Sequence, residues 1–299
     1  MCDSRRDTAS NKTMVSVRLR RFGFIFVAAA LTTSAVVAQE GFGALNPDPP
    51  SGKTTEQIVT AMGARESEFA KARDNYVYRQ SVKIQTINDD NGKPSGEYQA
   101  VTDVGFTSDG KRTEHVLFAP QSTIENGGVI MNRNDFDDIE HRLPFVLTTQ
   151  DLPDYNVSYL GSQKVDELDT FVLSVEPKVI EKNRRYFKGK VWVDQRDLQI
   201  VLASGKNVPD DVRRGHEDLS PPFSTYYEQI DGKYWFPTYT KAEGTLHFTA
   251  GEGNMAQDVH LKAVVKYTEY KRYRSSARIL TGVEEVPQDG GPKNDTPRK

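Results

Sequence analysis

The sequence predicts a mainly β protein with a few helices: one strongly curved antiparallel half-barrel whose inner face the helices cover. Three observations carry this prediction. About ten segments alternate apolar and polar residues with period two, and turn pairs such as Asn91-Gly92, Asp109-Gly110 and Asp231-Gly232 punctuate them. One long segment near the start of the body has helical spacing instead. Nowhere do strands and helices alternate regularly, so a parallel α/β sheet is excluded. About ten strands in one open sheet curl strongly, and a curled sheet covered by helices has an interior.

In chain order, the only long apolar run is Phe22 to Ala38, FGFIFVAAALTTSAVVA, preceded by Arg18, Arg20 and Arg21. A basic start, a short apolar centre and a small-residue exit at Val36-Val37-Ala38 read as an export signal over residues 1–38. Thr32, Thr33 and Ser34 shorten the run below the roughly 20 apolar residues of a membrane span. Met14 stands just ahead of the basic residues, so residues 1–13 read as an over-extended start. Residues 39–53 hold Gly and Pro and read as a flexible lead-in.

The body spans 54–281. Thr54 and Gln57 have capping-box spacing, and Ile58, Ala61, Met62, Phe69 and Ala72 follow at helical intervals, so a helix is expected over Thr54–Arg73, weakened by Gly63. Tyr76, Tyr78, Val82 and Ile84 then share one face of a strand, with Arg79, Ser81 and Lys83 on the other. Glu97–Phe106 places Tyr98, Ala100, Val104 and Phe106 on one side, and Arg112–Phe118 completes a meander. Residues 134–151 interrupt it. Asn134 suits a helix cap and Pro144 breaks the segment, leaving Leu143, Phe145, Val146 and Leu147 as an apolar knuckle. Strands resume at Tyr155–Ser162, Thr170–Glu176, Arg185–Val193, Gln199–Ser204, Phe223–Ile230, Tyr234–Phe248 and Val259–Tyr273. An acidic loop is expected over Pro209–Asp218 and a disordered tail over 282–299.

The chain of 299 residues is 36% hydrophobic and 27% charged, a globular composition. Removing residues 1–38 takes away six of the 39 basic and two of the 42 acidic residues. The 33 and 40 that remain give a formal charge of −7, with no cysteine, because Cys2 is the only one. That balance gives no electrostatic reason for nucleic-acid binding. It also excludes disulfide scaffolds and thiolate metal centres.

Catalytic signals are weak. Ser51-Gly52-Lys53-Thr54 matches the end of a phosphate loop, but the first required glycine falls at Pro47. None of the five histidines has metal-ligand spacing, although His247 and His260 on neighbouring strands, with Glu243 or Asp258, offer one arrangement for a secreted metal-dependent hydrolase. There is no G-x-S-x-G elbow. No catalytic residue, metal ligand or cofactor is assigned, and the protein is expected not to be an enzyme. The aromatic hairpin of Tyr226, Tyr227, Tyr234, Trp235, Phe236 and Tyr239 packs on the sheet or contacts a partner. Alternation is the same for a filled core and for a cavity, and both readings stand at this point.

The export signal, the Thr54–Arg73 helix leading into long strands, and FKGKVWVDQRDLQIVLASGK (Phe187–Lys206) carry a resemblance, as does IDGKYWFPTYTKAEGTLHF (Ile230–Phe248). The body resembles the LolA/LolB-like family, the bacterial outer-membrane lipoprotein carriers and lipoprotein-sorting proteins. The resemblance implies an incomplete antiparallel barrel around helices and a non-enzymatic, soluble periplasmic carrier of lipid or lipoprotein acyl chains. The cavity and its lid would then be formed by Ile58, Met62, Phe69, Tyr78, Val82, Ile84, Val104, Phe106, Phe171, Leu173, Phe187 and Val191. Family carriers latch the lid with an arginine of an early strand. Arg79 opposes the face of Tyr78 and Val82, so the role is not carried over. The alternative is an envelope sensor of the same fold that binds a membrane-protein partner.

Overall fold

The computed structural model describes residues 41–272, apart from 89, 108, 140–142, 182–183, 211–220 and 249–256. The expected export signal and tail lie outside the described residues, as does most of the acidic loop.

The body opens with α1 (Thr55–Arg73), and its start is the expected capping box: Gln57 N–H donates to Thr54 Oγ1 at 3.2 Å and Thr54 N–H to Gln57 Oε1 at 2.8 Å. Ten strands follow. The first three are β1 (Tyr76–Ile87), β2 (Pro94–Phe106) and β3 (Arg112–Phe118). The other seven are β4 (Tyr155–Val165), β5 (Leu168–Pro177), β6 (Tyr186–Asp194), β7 (Ile200–Val208), β8 (Phe223–Gln229), β9 (Trp235–Phe248) and β10 (Gln257–Arg272). All pairs are antiparallel in one sheet of order β3-β2-β1-β10-β9-β8-β7-β6-β5-β4. The turns work as their residues require: Gly92, Gly110 and Gly232 have positive φ, and the Asp194 carboxylate accepts the amides of Arg196 and Asp197.

Two meanders, β1–β3 and β4–β10, are zipped together by β1 and β10, with Val82 opposite Val265 and Ile84 opposite Ala263. A flat sheet of ten strands would be roughly 43 Å wide. Here one buried cluster joins Val82 of β1 to Leu173 of β5, Val191 of β6, Ala203 of β7 and Ile58 of α1. The sheet is therefore strongly curved, and its concave face wraps α1.

The sheet order has a topological consequence. β3 and β4 are opposite edges, so residues 119–154 must cross the whole concave face. This crossing segment contains a 3-10 turn (Ile124–Gly127) and the short helix α2 (Arg133–Asp137). The helix begins earlier than Asn134: the Asn132 amide donates to Asp135 Oδ2 at 2.6 Å. Beyond it the segment drives Leu143, Phe145 and Leu147 into the core, as the Pro144 break suggested. Phe145 stacks on Phe187 with centroids 4.1 Å apart and planes at 26°. The Phe187 ring itself lies over the facing pair Gly189 and Gly205, where a Cβ would stand within 3.0 Å of it.

Residues 41–48, expected from their Gly and Pro content to be a flexible lead-in, run along the edge strand β4. Gly43 N–H donates to Lys164 O and Asn46 N–H to Ser162 O, both at 2.8 Å, and Phe42 packs edge-on against Trp192 at 5.9 Å. A free β4 edge offers unpaired backbone groups, and this segment satisfies them. Gly63 also differs from expectation. It is not a mere weak point of α1: a Cβ there would meet Leu152 Cδ1 at 2.6 Å, so glycine permits the close approach of helix and crossing segment.

Candidate functional site

Period-two alternation aims the apolar residues of β1 and β5–β10 at the concave face, and the cover over them has two parts tied into one unit. Thr149 N–H donates to Gly63 O at 3.2 Å, and Ser67 Oγ donates to the same carbonyl at 2.6 Å. The crossing segment is tied to the sheet through Thr225 Oγ1 donating to Leu143 O (2.7 Å), Tyr227 OH donating to Phe145 O (2.6 Å) and Gln80 Nε2 donating to Ile139 O (3.4 Å). Asp138 of the same segment pairs with Arg185 at 3.1 Å, both side chains nearly buried. On α1, Arg65 Nε donates to Asp197 O at 3.2 Å. Glu66, 2% exposed, accepts the Ile200 amide at 3.0 Å. Burial pushes the Glu66 carboxyl up to about 8, against the opposing pull of that hydrogen bond and the Arg73 charge.

The residues expected to form a cavity and lid sit as follows. Ile58, Met62, Val82, Ile84, Phe171, Leu173, Phe187 and Val191 belong to the main buried cluster, with Tyr78 packed against it. Phe69 belongs to a second cluster with Tyr76, Tyr234 and Phe236. Val104 is buried on β2, and Phe106 is half-buried at its end. The cover occupies the space over them: Ile124, Val129, Leu143, Phe145 and Leu147 join the same cluster. Most of the aromatic hairpin is packed inward as well, since Tyr227, Tyr234, Trp235 and Phe236 are buried.

A hollow of about 110 Å³ opens where the end of α1 meets the sheet. Phe69, Tyr78 and Phe106, three of the expected residues, line it together with Tyr76, Phe236, Tyr270, Pro144, Val146 and Pro237. Two arginines that the sequence reading missed complete it, Arg73 from the last turn of α1 and Arg112 from the edge strand β3. Arg112 donates to Tyr78 OH (2.8 Å), Gln80 Oε1 (3.0 Å) and Glu114 Oε1 (2.8 Å). Arg73 Nε is buried and has no hydrogen-bond partner among the described residues. A wider hollow of about 270 Å³ lies between the first turns of α1 and the start of β4, lined by Val59, Leu152, Tyr155 and Val157 with Thr55, Glu56 and Thr60.

Glu66 had a signal in the sequence, since it falls between Met62 and Phe69 on the apolar stripe of α1. The arginines had none, because nothing local joins position 73 to position 112. Arg79 lies on the outer face, paired with Asp103 at 2.9 Å and with Glu269. His247 pairs with Asp258 at 2.8 Å and His260 with Glu243 at 3.0 Å, each with its own carboxylate on the outer face of β9 and β10. Among the described residues no cluster of three or more His, Cys, Asp or Glu is placed to hold a metal ion. No helix among them is long and apolar enough to cross a membrane.

No protein-family model matches the sequence. No curated protein matches it either. Among solved structures, a DUF1329 family protein from Desulfovibrio piger is 14% identical, covering 72% of this chain and 91% of its own, with a TM-score of 0.33. The LolA superfamily protein NE2245 from Nitrosomonas europaea is 14% identical, covering 74% and 95%, with a TM-score of 0.29. A putative outer membrane lipoprotein-sorting protein domain from Vibrio parahaemolyticus is 14% identical, covering 75% and 95%, with a TM-score of 0.31.

Proposed function

We propose that the protein is a non-enzymatic carrier of the cell envelope that takes the acyl chains of lipids or lipoproteins between the concave face and its cover. One observation carries this reading: the concave face of a ten-stranded sheet carries one apolar cluster from β1 across to β5, and what fills it is α1 and the crossing segment rather than a second sheet. The two hollows are below or near the small end of the roughly 300–1,000 Å³ usual for ligand pockets, so an acyl chain enters by displacing the cover.

Ile124, Val129, Leu143, Phe145 and Leu147 each gain about 1.5–3 kcal/mol from burial, and an acyl chain gains about 0.8 kcal/mol per CH2. Five side chains against a dozen or more methylenes are of the same order. The apolar contributions of plug and cargo therefore nearly balance, while the hydrogen bonds to Leu143 O and Phe145 O and the Asp138–Arg185 pair favour the closed cover, so a partner that favours the open state is needed for exchange. Native mass spectrometry of protein purified from its own envelope, with lipid extraction, tests the reading. Co-purifying acyl lipid that exchanges into vesicles is expected; the absence of any bound or exchangeable acylated ligand sinks it.

A second reading, an interaction module for a membrane-protein partner, has one specific support. The end of the β4 edge, at Ser162 to Val165, is covered by residues 41–48, whereas Val116, Leu117 and Phe118 on the β3 edge are 56%, 44% and 51% exposed. An apolar strand edge of that kind is suited to pairing with an extended segment. In-envelope crosslinking from position 117 that recovers lipid and no protein counts against it.

A further inference from the structure

We propose that the ring-lined hollow at the end of α1 is a head-group site, in which Arg73 and Arg112 hold the oxyanion of an acyl lipid. The inference rests on the carrier reading of the same site and adds the class of cargo. Its walls are the rings of Phe69, Tyr76, Tyr78, Phe106, Phe236 and Tyr270. Around such walls water is scarce, and a charge-assisted hydrogen bond is correspondingly strong.

The donors are set for an anion. Two tyrosine hydroxyls already donate, Tyr76 OH to Asp231 and Tyr270 OH to Pro237 O at 2.7 Å, while Tyr78 OH accepts from Arg112. Of the five N–H groups of Arg112, the contacts to Tyr78, Gln80 and Glu114 occupy four, leaving one on Nη1. Arg73 is far less committed. Its side chain is 41% exposed, yet its Nε is buried with no hydrogen-bond partner among the described residues, and the Asp74 carboxylate stands 4.0 Å away. A buried guanidinium nitrogen left unpaired costs free energy that an arriving oxygen would recover. The acidic groups that face these residues are Glu114 on Arg112, Asp74 beside Arg73, Asp231 on Tyr76 OH, and the buried Glu66 that feels the Arg73 charge; Glu114 and Asp74 keep about a third or more of their side chains in solvent.

Size and continuity complete the argument. At about 110 Å³, against about 30 Å³ for a water molecule in the liquid, the hollow admits a phosphate or carboxylate group but no chain. Pro144 and Val146 line the hollow, while their neighbours Phe145 and Leu147 plug the core. A lipid held here by its oxyanion thus has its acyl chain aimed at the seam that Phe145 and Leu147 close.

The test uses the delipidated full chain and three probes: monooleoylglycerol, its 3-phosphate, and inorganic phosphate. Displacement of a fluorescent acyl probe gives each affinity. The phosphorylated lipid is expected to bind about tenfold or more tightly than the neutral one. Arg73→Met is expected to lower the phosphorylated lipid's affinity about tenfold, to that of the neutral lipid in the same variant, and Arg73→Lys to restore part of the difference. A thermal melt of each variant checks that folding is retained, and Arg112→Lys gives an independent loss of preference. Equal wild-type affinities for the two lipids, or a preference that survives Arg73→Met, overturn the head-group site and leave the carrier reading standing. Inorganic phosphate binding as tightly as the phosphorylated lipid also overturns it, by assigning the hollow to a free anion. If neither lipid binds, the carrier reading itself fails.

Discussion

Replacing Glu66 with Gln probes how the cover is held. Glu66 lies on α1, 2% exposed, with its Oε1 3.0 Å from the Ile200 amide. Burial raises its carboxyl from 4.5 to about 8. Below about pH 4.5 the folded and unfolded chains both hold the proton, and the group costs nothing. As pH rises from there to about 8 the unfolded chain releases it and the folded chain keeps it, so stability falls. Above about 8 the folded form ionises too and the loss is complete. At about 1.36 kcal/mol per pH unit the loss is roughly 5 kcal/mol, an upper figure because the site relaxes and admits water once charged. Glu66→Gln is neutral at every pH and loses this component. Urea unfolding of both proteins from about pH 5 to about pH 9 reads it directly: the variant gains on wild type by about 3–5 kcal/mol across that range. Hydrogen exchange at the Ile200 amide gives a local check, since ionisation of its partner loosens α1 from β7. A wild-type-minus-variant difference that stays flat with pH refutes the reasoning.

Phe145→Ala removes the ring stacked on Phe187 and is expected to cost about 3–5 kcal/mol in equilibrium unfolding. It is also expected to speed uptake of an acyl probe measured by stopped flow, because the plug is smaller. Gly63→Ala gains about 1 kcal/mol of helix propensity, against which its Cβ displaces the tip of the half-buried Leu152 side chain, 2.6 Å away at Cδ1, so a net change of less than about 1 kcal/mol is expected in thermal melts. With Leu152→Ala in the background the displacement is gone and the full propensity gain is expected from the same substitution. Asp138→Asn removes a carboxylate 3.1 Å from the nearly buried Arg185 guanidinium, for an expected cost of about 1.5–3 kcal/mol in equilibrium unfolding and faster proteolysis within residues 119–154.

How much of this was legible depends on the range of each signal. The capping box of α1 and the faces of β1 were readable because both are encoded within a few residues: Thr54 reaches Gln57, and Tyr78, Val82 and Ile84 follow the pleat. The knuckle at Leu143–Leu147 was visible from Pro144 and its apolar neighbours. Its destination was not, since only the sheet order sends residues 119–154 across the concave face. Gly63 read as a weakness because helix propensity was the only term in view, and the Leu152 contact lies far along the chain. The lead-in shows the same limit: Gly and Pro mark irregular backbone, and the bonds of Gly43 and Asn46 to β4 have no local signal.

The sequence by itself determined that this is an antiparallel, mainly β protein with an apolar inner face and a helix at its start. Period, capping and turn chemistry are local, and each strand declares which of its sides avoids water. Tertiary structure alone decided what covers that side and which charges meet at its mouth. β1 pairs with β10, β3 and β4 become opposite edges, and Arg73 comes to the same hollow as Arg112. An alternating pattern reports that a face is buried and is silent about the partner that buries it. The partner is selected by long-range packing, in which every apolar surface of the chain competes for the same interior.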